Sequence, residues 1–472
     1  MTDIPASRAL LPEKPSGGSA PPRAGDPVVL PGPTIGSMTD HICAIALRKH
    51  AFLWWWVAMV PVALATAVLF GAIAWLFYAG IGIWGVDWPV MWGFALIGYV
   101  WWIAIASGGT FISSLFYLTQ VEWRTSLNRL AETMTVFAVA CAGIYPILHL
   151  GRPWLFYWLF PYPNTMTLWP QFRSPLLWDF FAILTYVISS ILFWYFGVIP
   201  DLATMRDRAA TRRKQILYGV FALGFRGSRS QWRHYHPTYG VMAAIMAPLV
   251  VSVHSIVGLD FAGAATVGWH STQFPPFFVF GALLSGFAMV LLIVVPLRRL
   301  LSLENFITGH HLDILCKMLL VSSLCLAYAY MMDAFSVFYG GENAEKTQFV
   351  DKVKGSLAGV YWATIVFNIT LPQLMWFRRL RLNQTLIMFV SFGVIVGMWC
   401  ERYTIVVMSL RRTHLTSAWG NFVPTVWDWA TLFGTVGLFV SGILLAVRFV
   451  PAISMFEMRA LLQRRSHEGD GQ

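Results

Sequence analysis

Residues 276–297 read PFFVFGALLSGFAMVLLIVVPL, a stretch of 22 positions without a charged side chain. A helix crosses the hydrocarbon core of a bilayer with about 20 mainly apolar residues. Arg298 and Arg299 follow directly, where topology-setting charges stand at a membrane surface. The stretch therefore predicts a transmembrane helix.

The composition of the whole chain agrees with that prediction. Of 472 residues, 57% are hydrophobic and only 12% are charged, and the mean hydropathy is +0.62. A soluble domain has about 25% charged residues, so this chain has too little polar surface for water to be its only solvent. The net charge of +11 would suit nucleic acid, but the basic residues lie in short loops between apolar stretches. We therefore expect membrane lipids as partners and no nucleic acid.

Ten stretches have the length and composition of membrane spans, which predicts an all-α integral membrane protein. Trp and Tyr residues gather near their ends, as in an interfacial aromatic belt. The predicted spans are 52–79, 91–119, 131–150, 176–199, 239–258, 276–297, 311–338, 356–377, 384–408 and 426–450.

The distribution of Lys and Arg predicts the orientation. Eight basic residues fall between Arg206 and Arg233. The other loops rich in Lys and Arg are separated from this loop by an even number of predicted spans, so they lie on the same side of the membrane. Basic residues concentrate in cytoplasmic loops. Both chain ends are therefore expected in the cytoplasm, and we name the two membrane faces, inner and outer, by this predicted orientation.

The chain divides into five predicted segments. Ser-Gly pairs at 107–108 and 285–286 suggest that the middle eight spans are two related four-helix bundles. Eight prolines before residue 34 indicate a disordered tail rather than a signal peptide. The segments are a Pro/Gly-rich cytoplasmic tail (1–45), an extra first helix (46–84), a first bundle (85–262), a second bundle (263–410) and a last helix with a cytoplasmic tail (411–472).

The cysteines argue against metal centres on this chain. Five are scattered along the sequence, with no CxxC and no CxxCH motif. Iron–sulfur clusters and c-type haem need such groupings. We therefore expect neither metal nor haem to be bound by this chain.

Titratable residues at the predicted outer ends of spans three to six form the candidate site. An ionisable side chain at the membrane centre costs about 2.5–3.5 kcal/mol even on the lenient insertion scale, so a cluster of them is informative. The candidates are His149, Arg152, Asp179, His254, Asp260 and His270.

Quinol oxidation is a reaction that such a cluster could support. A neutral His accepts a hydrogen bond from a ring hydroxyl, and a nearby carboxylate takes the proton onward. Arg152 could keep Asp179 ionised by pairing with it. The side chains of Trp154, Phe156, Tyr157 and Trp178 could form aromatic walls around a quinol ring.

Each candidate also has a purely structural interpretation. His149 and Arg152 could anchor a helix end at the lipid headgroups. Asp179 could be a first-turn carboxylate favoured by the helix dipole. His254 and Asp260 could be a structural pair, and His270 could cap the sixth span.

A second set of polar residues lies on spans seven and nine. They could form a proton path, or pairs that neutralise each other and keep the helices in register. The set is His310, His311, Asp313 and Lys317 at the inner end, and Asp333, Glu401 and Arg402 at the outer end.

Several motifs resemble those of the NrfD/PsrC family of quinone-interacting membrane subunits. HLGRP at 149–153 and SPLLWD at 174–179 carry this resemblance. VHSIVGLDFA at 253–262 and GWHSTQFPPFFVFGALLSGFAMV at 268–290 are more similar to the ActC subunits of bacterial alternative complex III. ERYTIVVMSL at 401–410 and GNFVPT at 420–425 fit the same group.

The resemblance implies a site, partners and a location. It implies that His149 and Asp179 bind quinol, with Arg152 beside them, and that His254 and Asp260 are polar residues of the same bundle. It also implies quinol, menaquinol or ubiquinol, as the bound substrate in a bacterial cytoplasmic membrane. The implied partners are a periplasmic iron–sulfur subunit, haem c subunits and a paralogous ActF-like membrane subunit, and the implied complex oxidises quinol, with proton translocation as a further expectation.

Three alternatives stand beside that expectation. The first is an NrfD-type anchor of a molybdenum reductase of polysulfide, nitrite or sulfoxide, which the extra first and last helices disfavour. The second is an ion or proton transporter, because intramembrane His and Asp occur there too. The third, a dihaem cytochrome b, is disfavoured because the adjacent His310 and His311 point about 100° apart around a helix.

Overall fold

The computed structural model describes residues 26–159 and 175–469, so most of the predicted N-terminal tail lies outside the described residues. This part of the chain is helical, with no β-strands. Segments of π- and 3-10 helix prolong α11 to Trp376 and α12 to Met408. The α-helices are α1 (Ile35–Leu47), α2 (Leu53–Ala79), α3 (Phe94–Leu118), α4 (Arg124–His149), α5 (Pro175–Arg208), α6 (Arg212–Phe221), α7 (Arg229–Ala262), α8 (Phe274–Leu300), α9 (Gly309–Gly340), α10 (Asn343–Lys354), α11 (Ala358–Ile365), α12 (Gln384–Tyr403), α13 (Val426–Phe449) and α14 (Met455–Gly469).

The number of spans agrees with the prediction. Within the described ranges, nine helices are long and apolar enough to cross a membrane. A tenth span results if α10 and the helix Ala358–Trp376 are counted together, although they meet at an angle of 80°. The predicted multi-pass, all-α membrane fold is therefore confirmed.

Eight of the helices pack in two groups, which we call the first and the second bundle. Helices α3, α4, α5 and α7 pack together, and α8, α9, α11 and α12 form the second group. The groups meet where α3 crosses α8, at the two Ser-Gly pairs noted in the sequence. A Cβ atom added to Gly108 would lie 2.2 Å from the Cα of Gly286, so the two backbones touch. Small residues permit this close approach, which drives helix association in lipid.

Replacing Gly108 by Ala is therefore expected to destabilise the protein by about 1–3 kcal/mol, the usual range for overpacking. The new methyl group would meet backbone, which cannot move aside as a flexible side chain can. Unfolding in detergent, followed by helix content, measures the loss. Gly143→Ala is the matched control because an added Cβ there has no atom within 4 Å. Equal stability of the two variants would contradict the close contact.

The first and last spans form a separate pair against the first bundle. α2 packs on α13, and α13 packs on α3 and α4. The indole nitrogen of Trp55 donates to the carbonyl oxygen of Leu444 at 2.8 Å. Gly437 faces Ala65 so closely that an added Cβ would lie 2.7 Å from the Ala65 Cβ. Outside this contact α2 is exposed, as a lipid-facing helix is.

The predicted disordered tail needs a correction from residue 35 onward. Thr34 caps helix α1 by accepting from the Ser37 amide at 3.2 Å. Met38 and Ile42 are buried against neighbouring elements, which include α13 and α14. The proline-rich composition ends at Pro33, and the apolar face that follows gains enough burial to order the chain.

Candidate functional site

A pair of carboxyl groups and a tyrosine lie at the predicted outer end of the first bundle. The hydroxyl of Tyr99 donates to Oδ2 of Asp179 at 2.6 Å. The Asp179 and Asp260 side chains lie within hydrogen-bonding contact of each other. Among the described residues, neither Oδ1 atom accepts a hydrogen bond. Asp179 is buried and Asp260 is partly buried. Two such carboxyl groups in contact cannot both be ionised without a large electrostatic penalty, so we expect the pair to hold one proton.

Chain direction explains why these three residues meet. Tyr99 lies near the start of α3, Asp179 near the start of α5 and Asp260 near the end of α7. Because α7 runs antiparallel to α3 and α5 in the bundle, its end lies beside their starts. Asp179 is only 8% exposed, so lipid and the helices around it exclude most water from the pair.

His149 lies at the same end of the bundle, as the last residue of α4. Its ring packs edge-on against Trp92, with ring centroids 4.3 Å apart. Within the described residues, no hydrogen bond joins His149 to Asp179. The imidazole therefore forms a second polar position beside an aromatic wall, separate from the carboxyl pair.

The expected ion pair between Arg152 and Asp179 is not found in the part of the chain that the structure describes. Gly151 follows α4 with a φ of +71°, and this turn carries Arg152 to the exposed surface. A tyrosine hydroxyl and a second carboxyl group occupy the place that the guanidinium was expected to take. Trp178, the predicted wall, is 43% exposed.

His254 does not pair with Asp260, which corrects the suggested structural pair. It is fully buried, and its Nδ1 lies 3.0 Å from the hydroxyl of Ser107. Asp260 is six residues further along α7, beside Asp179. Near Ser107, Thr110 and Tyr186 share a hydrogen bond of 2.7 Å. His254 thus belongs to a polar row deeper in the bundle, below the carboxyl pair.

His270 lies in another part of the molecule from the one expected. It is exposed on the loop before α8, and its Nε2 lies 3.3 Å from Glu345. The loop leads into the second bundle and carries the ring toward α10. The structure therefore does not bring His270 to the carboxyl pair.

The second set of predicted residues separates into two groups at opposite ends of α9. Asp313 and Asp333 are twenty residues apart, which is about 30 Å along a helix. At the inner end, Asp313 binds Lys317 at 2.5 Å and Arg381 at 2.6 Å. His311 is buried, and its Nδ1 accepts from the Thr308 amide at 3.0 Å, while His310 is its neighbour. These contacts match the interpretation as neutralising and capping groups.

The outer group borders a cleft in the second bundle. Glu401 binds Arg402 at 2.5 Å and also accepts from the hydroxyl of Tyr330. Asp333 and Lys352 face the same cleft, which encloses about 590 Å³ including its open mouth. Lys352 was not anticipated, because the sequence placed it in an outer loop. A proton path along this cleft stays a prediction.

A buried charge network at the inner end of the first bundle was missed by the sequence analysis. Arg129 binds Glu132 and Asp201, each at 2.9 Å, and all three side chains are at most 2% exposed. Arg124 binds Glu457 of α14 through two hydrogen bonds, of 2.8 and 2.7 Å. Burial raises the pKa of the Glu457 carboxyl above its ordinary value, and Arg124 opposes that rise.

The predicted start of the third span at residue 131 explains the omission. It placed Arg124 and Arg129 in a loop as topology-setting charges, whereas α4 begins at Arg124. Arg129 and Glu132 are three residues apart, a spacing at which oppositely charged side chains meet on a helix. That spacing was the signal available in the sequence.

The outer-end arrangement can transfer protons. A carboxyl pair that holds one proton has one carboxylate left, to which Tyr99 donates. That carboxylate can accept a second proton from a bound hydroxyl. Imidazole at His149 adds an acceptor beside an aromatic ring. These are the groups that a hydroquinone needs in order to lose its two hydroxyl protons.

Comparison with known proteins identifies the family. The model described as "Polysulphide reductase, NrfD" matches residues 82–413, which is more than half of the chain. A Halobacterium salinarum protein, named as a candidate membrane component of dimethyl sulfoxide reductase, is 26% identical over 250 residues, 48% of this chain and 51% of the relative. This chain thus spans about half the length of that relative. A subunit of the selenate reductase of Mesobacillus selenatarsenatis is 20% identical over 385 residues, 77% of this chain and 86% of the relative. The chain therefore belongs to the NrfD family of polysulphide reductase membrane proteins.

Proposed function

We propose that this chain is the quinone-interacting membrane subunit of an oxidoreductase complex, with its site at the outer end of the first bundle. The observation that carries the proposal is the contact of the buried Asp179 with the partly buried Asp260, together with the hydrogen bond from Tyr99 to Asp179. A proton-sharing carboxyl pair inside an apolar bundle is expensive to maintain. Such groups are retained where protons are taken up or released.

In the proposed reaction, a hydroquinone loses two electrons and two protons. One hydroxyl faces the carboxyl pair, which accepts its proton, and Tyr99 stabilises the resulting arrangement by its hydrogen bond to Asp179. The other hydroxyl donates to His149, whose neutral imidazole takes the second proton. The electrons leave to an iron–sulfur subunit docked at the outer face, because the proposal gives this chain no electron carrier.

The relatives favour a reductase partner. Both relatives are named as parts of reductases, of dimethyl sulfoxide and of selenate. This supports the molybdenum-reductase anchor, presented above as an alternative, over alternative complex III. We therefore propose an electron-delivering anchor of a reductase as the leading assignment.

One observation favours the ActC-like assignment as a second candidate. The family match covers residues 82–413, so α2 and α13 both lie outside it. These two helices pack on each other as a pair, and the resemblance to ActC implies one additional helix at each end. In this case haem c subunits and an ActF-like subunit would be the partners.

Photolabelling tests the quinone site directly. The complex, purified from its native membrane, is irradiated with an azido-quinone, and the labelled peptides are identified by mass spectrometry. We expect labels near the starts of α3 and α5 and near the ends of α4 and α7, which surround the carboxyl pair. Excess quinol should protect these positions from labelling. Labelling confined to the second bundle would contradict the proposal.

The same preparation distinguishes the partners. Co-purified c-type haem, seen in the reduced-minus-oxidised spectrum, is expected of the ActC-like complex. A molybdenum-containing subunit, detected by elemental analysis, is expected of the reductase anchor. Substrate flux in liposomes of the isolated chain, without any redox partner, would instead support a transporter.

A further inference from the structure

We propose that His270, Glu342 and Glu345 bind a divalent transition-metal ion of the zinc type at the outer surface of the second bundle. The three side chains each offer one ligand atom, and these atoms lie within 4.8 Å of one another. They come from the loop before α8 and from the start of α10. The site is separate from the proposed quinone site and does not depend on it.

The distances suit a small metal ion. Zn²⁺ bonds to His nitrogen and carboxylate oxygen are about 2.0–2.2 Å long, so tetrahedral ligand atoms lie roughly 3.3–3.6 Å apart. Nε2 of His270 lies 3.3 Å from Oε1 of Glu345 and 3.8 Å from Oε2 of Glu342. All three ligand atoms lie within 4.8 Å of one another, so rotation of the partly exposed glutamate side chains would bring their oxygens to the spacing that the ion requires.

The ring of His270 is already held in an orientation that suits metal binding through Nε2. Nδ1 lies 3.3 Å from the carbonyl oxygen of Thr266, to which it can donate. With the proton on Nδ1, the lone pair of Nε2 points at the two carboxylates. Metal-binding histidines have this arrangement, in which a backbone carbonyl fixes the tautomer. An ordinary salt bridge requires a doubly protonated ring instead.

A fourth donor stands beside the cluster. Nδ1 of His414 lies 3.6 Å from the second oxygen, Oε1, of Glu342. It can hydrogen-bond Glu342 and orient this ligand. An imidazole with two carboxylates suits zinc better than magnesium or calcium, which prefer oxygen ligands alone.

The segments that carry the ligands are held in place. The buried side-chain amide of Gln348 in α10 donates to the carbonyl oxygens of Val267 and Ser409, both at 3.0 Å. Arg412 binds Asp351 of the same helix at 3.4 Å. A bound ion would therefore join three segments that already share a scaffold, which lowers the entropy lost on binding.

Metal titration of the full chain in detergent tests the proposal. The protein is purified with a tag that lacks histidine, treated with a chelator and titrated with Zn²⁺ by calorimetry. We expect one equivalent to bind, and a weakening of at least about tenfold in His270→Ala and in Glu345→Gln, as for loss of a group that supports a metal site. X-ray absorption is expected to report nitrogen and oxygen ligands without sulfur.

His236→Ala is the matched control, because His236 is exposed in the first turns of α7, away from the cluster. It is expected to bind Zn²⁺ as the parent protein does. Equal weakening in the control, or no stoichiometric binding in the parent, would overturn the proposal. An unchanged Zn²⁺ affinity in His270→Ala would overturn it as well. The His270→Ala, Glu345→Gln and His236→Ala variants are all checked for native helix content, so a folding defect is recognised separately.

Discussion

Asp179→Asn is expected to reduce quinol-dependent electron transfer by about 10²–10⁴-fold, the usual contribution of a positioned proton acceptor. Asparagine has the size of aspartate and can still accept the Tyr99 hydrogen bond, so the bundle should fold and the complex should assemble. An amide cannot take the hydroxyl proton of a hydroquinone, however. The loss should therefore fall on turnover rather than on assembly.

Steady-state turnover of the purified complex with a soluble quinol measures this effect. Asp207→Asn is the matched control, since Asp207 is exposed on the same helix near the inner surface and pairs only with Arg206 in the described structure. Asp260→Asn is expected to resemble Asp179→Asn, because the two residues hold one proton together. Normal turnover in a fully assembled Asp179→Asn complex would remove the carboxyl pair from the mechanism.

Arg129→Ala is expected to destabilise the protein by about 3–5 kcal/mol, which is the cost of leaving buried charges unpaired. Arg129 is the shared cation of Glu132 and Asp201, both of which are inaccessible to water. Asp201 also accepts from the amides of Met455 and Phe456, at 3.1 and 3.3 Å. Loss of the guanidinium should therefore loosen the attachment of α14 as well.

Thermal or denaturant unfolding in detergent measures the loss, together with the yield of folded protein. Arg208→Ala is the control, because Arg208 pairs with Asp40 at the exposed surface, where ion pairs contribute about 0–1 kcal/mol. The double variant Arg129→Ala with Glu132→Gln should be less destabilised than the single variant, since one unpaired charge has been removed. Identical stabilities of the Arg129 and Arg208 variants would mean that the network is not a stabilising element.

The hydrophobic pattern was sufficient to predict the membrane fold. The stretch 276–297 can satisfy its backbone hydrogen bonds in lipid only as a helix, and the same argument applies to every span. Alternating chain direction then brings the start of α5 and the end of α7 together, so Asp179 and Asp260 could be expected at one end. The Ser-Gly pairs, seen first as a repeat, mark the contact of Gly108 with Gly286.

The partners of the polar residues could not be predicted in the same way. Tyr99 was not singled out in the sequence, because its contact with Asp179 depends on how far α3 and α5 are rotated and shifted along their axes against each other. Arg129 was assigned to a loop because the third span was predicted to start at residue 131. His270 was assigned to the quinol site, but the loop before α8 carries it toward α10.

Sequence alone thus determined that this chain is a multi-pass helical membrane protein, because a long apolar segment in lipid satisfies its own backbone hydrogen bonds as a helix. It also placed titratable residues at one end of a bundle, because ionisable side chains are rare in apolar spans and are easily recognised there. The tertiary structure decided which of those residues meet. It joined Asp179 to Asp260 and Tyr99, and it moved Arg152 to the surface. Helix rotation and axial offset arise from packing between distant segments, and no spacing within a single segment encodes them.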